Sequence, residues 1–118
     1  MVMQFPDNEE FVINVVHCKK VPSSHPIYRG FPLGNPFPMH EESQRDKVCD
    51  LFEEYFRKKV AQKDPTIMNE LGRMVEKAFM NGGIELGCYC APRRCHGNTI
   101  KSFLELVLNG DGDIFIAT

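Results

Sequence analysis

The sequence lacks the features that mark several large classes of protein. Its 118 residues carry a formal net charge of −2, so the strong positive charge that holds many proteins to nucleic acid is missing. There is no run of about 18 apolar residues, and residues 1–7 lack the charged-then-apolar layout of a secretory signal. We therefore expect a cytoplasmic protein of one domain with no membrane partner.

Two familiar nucleotide-binding motifs are also missing. The chain has no G-x-x-x-x-G-K-[ST] sequence and no evident carboxylate cluster for magnesium, which disfavours phosphoryl transfer. A dinucleotide fingerprint is absent as well. The five cysteines are an odd number, and three of them crowd into residues 88–95. That distribution suits reduced thiols better than a disulfide framework.

The hydrophobic pattern predicts an α/β fold for residues 1–118, in one small domain. Predicted strands are 11–16, 84–90 and 114–116, and predicted helices are 41–61, 65–81 and 96–108. Apolar residues recur every three or four positions in the helices, and the strands are short apolar runs. These elements predict a short, mostly parallel sheet packed with about three helices.

Residues 22–38 form a proline-rich segment that regular helix cannot accommodate. Bulky apolar and aromatic side chains are interleaved with the prolines, which argues against disorder. A long ordered loop in a domain this small is usually functional. We therefore predict a functional loop at residues 22–38.

Residues 88–97 read CYCAPRRCHG and lie between a predicted strand and a predicted helix. The free N–H groups and the dipole at the start of a helix favour an anion there. We predict an anion site whose ligand-binding residues are Arg29, Gly34, Asn35, Arg45, Arg93, Arg94 and Gly97. Because ligands of parallel sheets bind beyond the carboxyl ends of the strands, His17 and Cys18 after the first strand are expected nearby.

Cysteine chemistry at the same turn is a second expectation. A thiol at a helix start beside cationic groups should have a lowered pKa, so Cys95 is the candidate nucleophile. Its proton carrier would be His96 or His17, and we name Cys95 and His96 as the candidate catalytic residues.

Three blocks of the sequence carry a resemblance to a known family. Residues 29–37 read RGFPLGNPF, Arg45 opens a predicted helix, and residues 88–97 supply C-x-C-x-P-x-x-C-H-G. In order and spacing they resemble family 4326 of domains of unknown function, found in phages and bacteria. Tyr28 stands where that family usually has glycine, and Tyr89 where tryptophan is common. The resemblance implies a small α/β domain often carried by phages, and it supplies no established activity.

Zinc is the alternative use of the cysteine motif. Cys88, Cys90, Cys95 and His96 have the number and type of ligands that a tetrahedral zinc site needs. Their spacing is unusual, because Cys88 and Cys90 lie too far apart on an extended strand unless the strand kinks.

We therefore predict a protein that binds or processes a nucleotide, a nucleoside or another phosphorylated small molecule at the cysteine-rich turn. One alternative is a zinc-stabilised module that binds a protein or nucleic acid. The other is an interaction protein without catalysis that uses the proline-rich loop as its contact surface. The first predicts a pocket that contains Arg29, Asn35 and His96.

Overall fold

The computed structural model describes residues 10–110, and the predicted elements in that range are present. They are β1 Val12–His17, β2 His25–Pro26, α1 Arg45–Ala61, α2 Pro65–Asn81, β3 Gly83–Cys88 and α3 Gly97–Asn109. A short 3-10 helix, Glu42–Gln44, leads into α1. The strand predicted at residues 114–116 lies outside the described residues.

The three strands of residues 10–110 form one parallel sheet in the order β1-β3-β2. Val12 of β1 pairs with Gly83 of β3, and the register runs to the pair His17 and Cys88. Parallel neighbours need a long crossover, which here runs through α1 and α2. The predicted α/β class, the parallel sheet and the three helices are confirmed.

The ends of α2 follow from local chemistry. The Asp64 carboxylate accepts a hydrogen bond from the Ile67 backbone N–H at 3.1 Å, and Pro65 occupies the first turn. The helix ends at Gly82, whose φ of 78° is in the left-handed region that favours glycine. Both ends lie where the sequence predicts them.

Three elements differ from the prediction. The first helix is predicted from residue 41, but α1 begins at Arg45. β3 ends at Cys88 rather than at residue 90, so Tyr89 and Cys90 belong to the following turn. The proline-rich loop contains the two-residue strand β2, which the sequence pattern does not indicate. After β2 the Ile27 N–H donates to the Gly87 carbonyl at 3.0 Å, and the side chains of Ile27 and Leu33 are fully buried. The loop is therefore anchored in the core.

The core joins the sheet to the helices. α2 packs on β3, α3 packs on β1 and β3, and α1 packs on α2. Phe52, Leu71, Leu86 and Leu104 are among its buried side chains. Among residues 10–110, no helix combines the length and hydrophobicity that crossing a bilayer requires.

A buried polar network fixes β2 to α2. His25 Nε2 lies 2.7 Å from Glu70 Oε2, and Lys77 Nζ lies 3.1 Å from His25 Nδ1. Because an ammonium group only donates, Nδ1 is the acceptor and Nε2–H donates to the carboxylate. Burial acts to raise the pKa of Glu70, but hydrogen bonds from His25 and Arg73 outweigh it and the pKa is lowered. The network stabilises the edge strand from which the loop departs.

Candidate functional site

The carboxyl ends of β1 and β3 meet at one edge of the sheet, as the parallel topology requires. His17 pairs with Cys88, and the Cys18 N–H donates to the Cys88 carbonyl at 2.8 Å. The expectation that His17 and Cys18 lie beside the cysteine-rich turn is confirmed. Ligands of parallel sheets bind at this edge.

A cavity of about 240 Å³ lies at the same edge. Its wall comes from the loop at 28–39, the start of α1 at 45–49 and the turn at 88–96. The predicted site residues that line it are Arg29, Asn35, Arg45, Cys95 and His96, together with the sulfur residues Cys88 and Cys90. Gly34, Arg93, Arg94 and Gly97 lie outside this wall.

Cys88 and Cys95 place two sulfur atoms in contact at the inner end of the cavity. Their Sγ atoms are 3.3 Å apart, and both residues are almost fully buried, at 1% and 3% exposure. The Ala91 N–H donates to Cys88 Sγ and the Gly97 N–H donates to Cys95 Sγ, each at 3.3 Å. The turn that joins β3 to α3 therefore folds around this pair.

The two thiols share one proton in the neutral pH range. The hydrogen bond from Cys95 lowers the pKa of Cys88 to about 6, against the opposing effect of burial. The same hydrogen bond, together with burial, raises the pKa of Cys95. His17, opposite Cys88 in the sheet, adds a smaller electrostatic contribution. The expectation of a lowered pKa at Cys95 is therefore wrong, because Cys88 carries the negative charge.

His96 ties the proline-rich loop to the start of α3. Its Nε2–H donates to the Ile27 carbonyl oxygen, and its ring meets the edge of the Phe52 ring with centroids 4.9 Å apart. Burial lowers the pKa of His96, and the carbonyl groups of Ile27 and Leu33 oppose that change. The predicted proton carrier lines the cavity, but its Nε2 proton is held by the loop.

The two arginines of the cavity wall differ in what they contact. Arg45 binds both carboxylate oxygens of Glu42 at 2.8 and 2.7 Å and also donates to the Arg94 carbonyl. Its pKa is raised, first by Glu42 and then by Cys90. Arg29 is exposed and makes no hydrogen bond or ion pair within residues 10–110. Arg29 is therefore the guanidinium available to an anion in the cavity.

Arg93 and Arg94, predicted to bind the ligand, contact carboxylates of α1 and of the 3-10 helix before it. Arg94 reaches Asp46 at 2.9 Å and Asp50 at 2.8 Å, and these contacts raise its pKa. Arg93 approaches Glu42 at 3.5 Å. Both arginines thus fasten the turn to α1 on its outer side.

Gly34 and Asn35 shape the loop. A Cβ on Gly34 would lie 2.6 Å from the Tyr28 carbonyl oxygen, so only glycine fits there. The Asn35 side chain accepts from the Phe37 N–H at 2.9 Å and donates to the Val48 carbonyl at 3.4 Å. These bonds hold the loop over α1 and explain the G-N-P-F sequence.

The start of α3 is occupied by its own chain. The Gly97 N–H is used by Cys95 Sγ, and the Asn98 N–H donates to the Cys95 carbonyl at 3.0 Å. A Cβ on Gly97 would lie 2.8 Å from Ile27 Cδ1. Gly97 therefore allows side chains, rather than a ligand, to approach closely, and the anion cradle expected at this helix start is filled.

An aromatic cluster that the sequence analysis did not predict lies beside the cavity, and two of its members, Tyr28 and Tyr89, are part of the cavity wall. We call it the aromatic rim, and it consists of Tyr28, Phe31, Tyr89 and His17. Tyr28 meets Tyr89 at 4.9 Å and Phe31 at 5.0 Å between ring centroids, and Tyr89 meets His17 at 5.9 Å. Phe31 and Tyr89 remain 41% and 55% exposed. The aromatic residues that flank Arg29 in sequence were the available signal.

The four predicted zinc ligands do not converge. Cys88 and Cys95 contact each other, whereas His96 Nε2 is directed at the Ile27 carbonyl. Within residues 10–110, no group of three or more His, Cys, Asp or Glu side chains is arranged to hold a metal ion. Zinc binding stays a prediction for elemental analysis of the purified protein.

Fold and site together define a small α/β protein with a cysteine-lined, arginine-flanked cavity at the carboxyl edge of a parallel sheet. The chain belongs to the family described as domain of unknown function (DUF4326), whose model matches residues 13–106. The matched range includes every residue of the cavity wall. No curated protein and no solved structure gives a significant match.

Proposed function

We propose that this protein binds a nucleotide, a nucleoside or another phosphorylated small molecule in the cavity at the carboxyl edge of its sheet. The observation that carries the proposal is that one cavity wall combines Tyr28 and Tyr89 of the aromatic rim with Arg29, whose guanidinium makes no hydrogen bond or ion pair within residues 10–110. Guanidinium groups bind phosphate through paired N–H donors, and exposed aromatic rings stack on bases.

The size of the cavity narrows the class of ligand. Its volume of about 240 Å³ is below the roughly 300–1,000 Å³ of pockets that bury drug-sized molecules. A single nucleoside or sugar phosphate, with its base against the rim, suits this volume better than a dinucleotide. The thiolate of Cys88 would repel a phosphate at the inner end, so the phosphate belongs near Arg29.

Isothermal titration calorimetry tests the proposal with nucleoside monophosphates, the matching nucleosides, ribose 5-phosphate and inorganic phosphate. We expect monophosphates to bind more tightly than nucleosides. Arg29→Gln should weaken monophosphate binding roughly 10- to 150-fold, because a hydrogen bond to a charged group contributes about 1.5–3 kcal/mol. Tyr89→Ala should weaken binding of nucleotides but leave inorganic phosphate unaffected.

Arg57→Gln is the matched control, because Arg57 is an exposed arginine of α1 that lies outside this cavity wall and whose one ion pair among residues 10–110 is with Glu53, at 3.6 Å. It removes the same charge and should leave every affinity unchanged. Equal losses in both arginine variants, or no binding of any phosphorylated compound, would contradict the proposal.

Processing of the bound molecule, as distinct from binding, is tested by incubation and chromatography of the products. Cys88 is the sulfur placed to react, because its thiolate lines the cavity. Cys88→Ser should abolish any product while the affinity measured by calorimetry persists. Retained turnover in this variant would exclude the thiolate from the reaction.

A further inference from the structure

Cys88 and Cys95 have the arrangement of a dithiol one step from a disulfide. Their Sγ atoms are 3.3 Å apart, and a disulfide bond is about 2.05 Å long, so the sulfurs need to approach by only about 1 Å. Cys88 is the last residue of β3, and Cys95 lies two positions before α3. The turn between them can take up a movement of that size.

We propose that Cys88 and Cys95 are an oxidation site that hydrogen peroxide converts to a reversible intramolecular disulfide. The cavity that both sulfurs line gives a molecule as small as peroxide a route to otherwise buried thiols. This site is independent of which ligand the cavity takes.

Hydrogen peroxide oxidises the two thiols to a disulfide in two steps. The Cys88 thiolate attacks one peroxide oxygen, the O–O bond breaks, and hydroxide leaves, which gives a sulfenic acid on Cys88. The Cys95 sulfur then attacks the Cys88 sulfur, the S–O bond breaks, and the Cys95 proton leaves with the hydroxyl group as water. The two thiols lose two electrons, and peroxide gains them.

Among the described residues, the other three cysteines make no hydrogen bond to a second sulfur atom. Cys49 is buried on α1, and burial raises the pKa of its thiol. Cys18 contacts the Tyr89 hydroxyl rather than a second sulfur. Cys90 is the strongest competitor, because it lines the same cavity and is only partly buried, but its contact is Arg45.

The experiment treats the reduced full chain with peroxide and follows intact mass and tryptic peptides. Trypsin cuts after Arg93 and Arg94, which separates the peptide of Cys88 and Cys90 from the peptide of Cys95. We expect the monomer to lose two hydrogen atoms, the two peptides to become linked, and dithiothreitol to release them. The rate should fall about tenfold for each pH unit below the pKa of Cys88, because the thiolate is the nucleophile.

Three serine variants identify the partners. Cys90→Ser should retain the linked peptides, whereas Cys88→Ser should lose them. Cys95→Ser should instead gain oxygen atoms on Cys88, because the sulfenic acid has no neighbouring thiol to displace it. A link that survives Cys88→Ser would assign the bond to Cys90 and overturn the proposal.

Oxygen gain on wild-type Cys88 without a link would overturn it equally. The proposal would also be overturned if the thiols of the wild-type protein did not react with peroxide at neutral pH. Circular dichroism of each variant establishes that it is folded before its chemistry is compared.

Discussion

Replacing Cys95 with alanine removes the S–H group that stabilises the Cys88 thiolate. In the native protein the pKa of Cys88 is about 6, whereas a free thiol has a pKa of about 8.5. Without the donor, burial dominates, and we expect the pKa of Cys88 to rise above about 8.5. At pH 7 the thiolate fraction should fall from roughly 90% to a few per cent.

Ultraviolet absorbance of the thiolate measures this change directly. The reduced wild-type protein should show one thiolate that forms with a midpoint near pH 6. Cys95→Ala should lack that transition, and the difference between the two curves cancels the other cysteines. Cys49→Ala, at another cysteine of the same cavity, should keep the wild-type midpoint.

The free energy of unfolding should depend on pH because Cys88 ionises at a lower pH in the native protein than in the unfolded chain. Between about pH 6 and pH 8.5 the native pair holds one proton and the unfolded pair holds two, so stability rises with pH by about 1.4 kcal/mol per pH unit. This contribution is lost as the pH falls through the native pKa of Cys88. Urea unfolding in the presence of reductant should show that the free energy of unfolding of Cys95→Ala rises less steeply with pH.

Suppose that thiolate formation in Cys95→Ala keeps the wild-type midpoint, and that its free energy of unfolding keeps the wild-type dependence on pH. Then the sulfur contact does not set the pKa of Cys88. The inferred sharing of one proton by the two thiols would then be wrong.

The remaining predictions concern packing and the buried network, and urea unfolding measures each of them. Gly97→Ala should cost about 1–3 kcal/mol through overcrowding, whereas Gly72→Ala, at an open helical position, should stabilise by about 0.5–1 kcal/mol. A destabilised Gly72→Ala or a neutral Gly97→Ala would contradict these contacts. Glu70→Leu should cost about 1–3 kcal/mol, because it leaves the buried His25 Nε2–H group without its acceptor. Glu53→Gln, in an exposed pair, should cost less than about 1 kcal/mol, and equal costs would contradict the burial argument.

The helices could be predicted because their signals are local in sequence. Asp64 and Pro65 start α2 and Gly82 ends it, and each acts on groups within one helical turn. The buried stripe of α1, which includes Phe52 and Phe56, follows the same short-range spacing. Such features need no knowledge of the rest of the fold.

Part of the site could also be predicted, through topology. Parallel strands bring their carboxyl ends together, which places His17 beside Cys88. The pocket expected to contain Arg29, Asn35 and His96 is lined by all three. Their individual contacts could not be predicted, because they depend on side-chain directions that the strand order leaves open.

The features of the fold and of the site that could not be predicted depend on contacts between residues that are distant in sequence. Arg94 contacts Asp50 and Asp46, which are 44 and 48 residues away. β2 has only two residues and shows no pattern, since pairing with β3 defines it. The thiolate falls on Cys88 rather than Cys95 because of a sulfur contact across the turn.

The cavity wall is built from segments that are far apart along the chain, as Arg29, Arg45 and Cys88 illustrate. Partial folding cannot assemble it, so a molecule that occupies it selects the fully native chain over the unfolded ensemble. By mass action, free ligand at 100 times its dissociation constant adds about 2.7 kcal/mol to the free energy of unfolding. Melting temperature thus becomes a readout of cavity occupancy that can rank whole compound collections before any reaction is known.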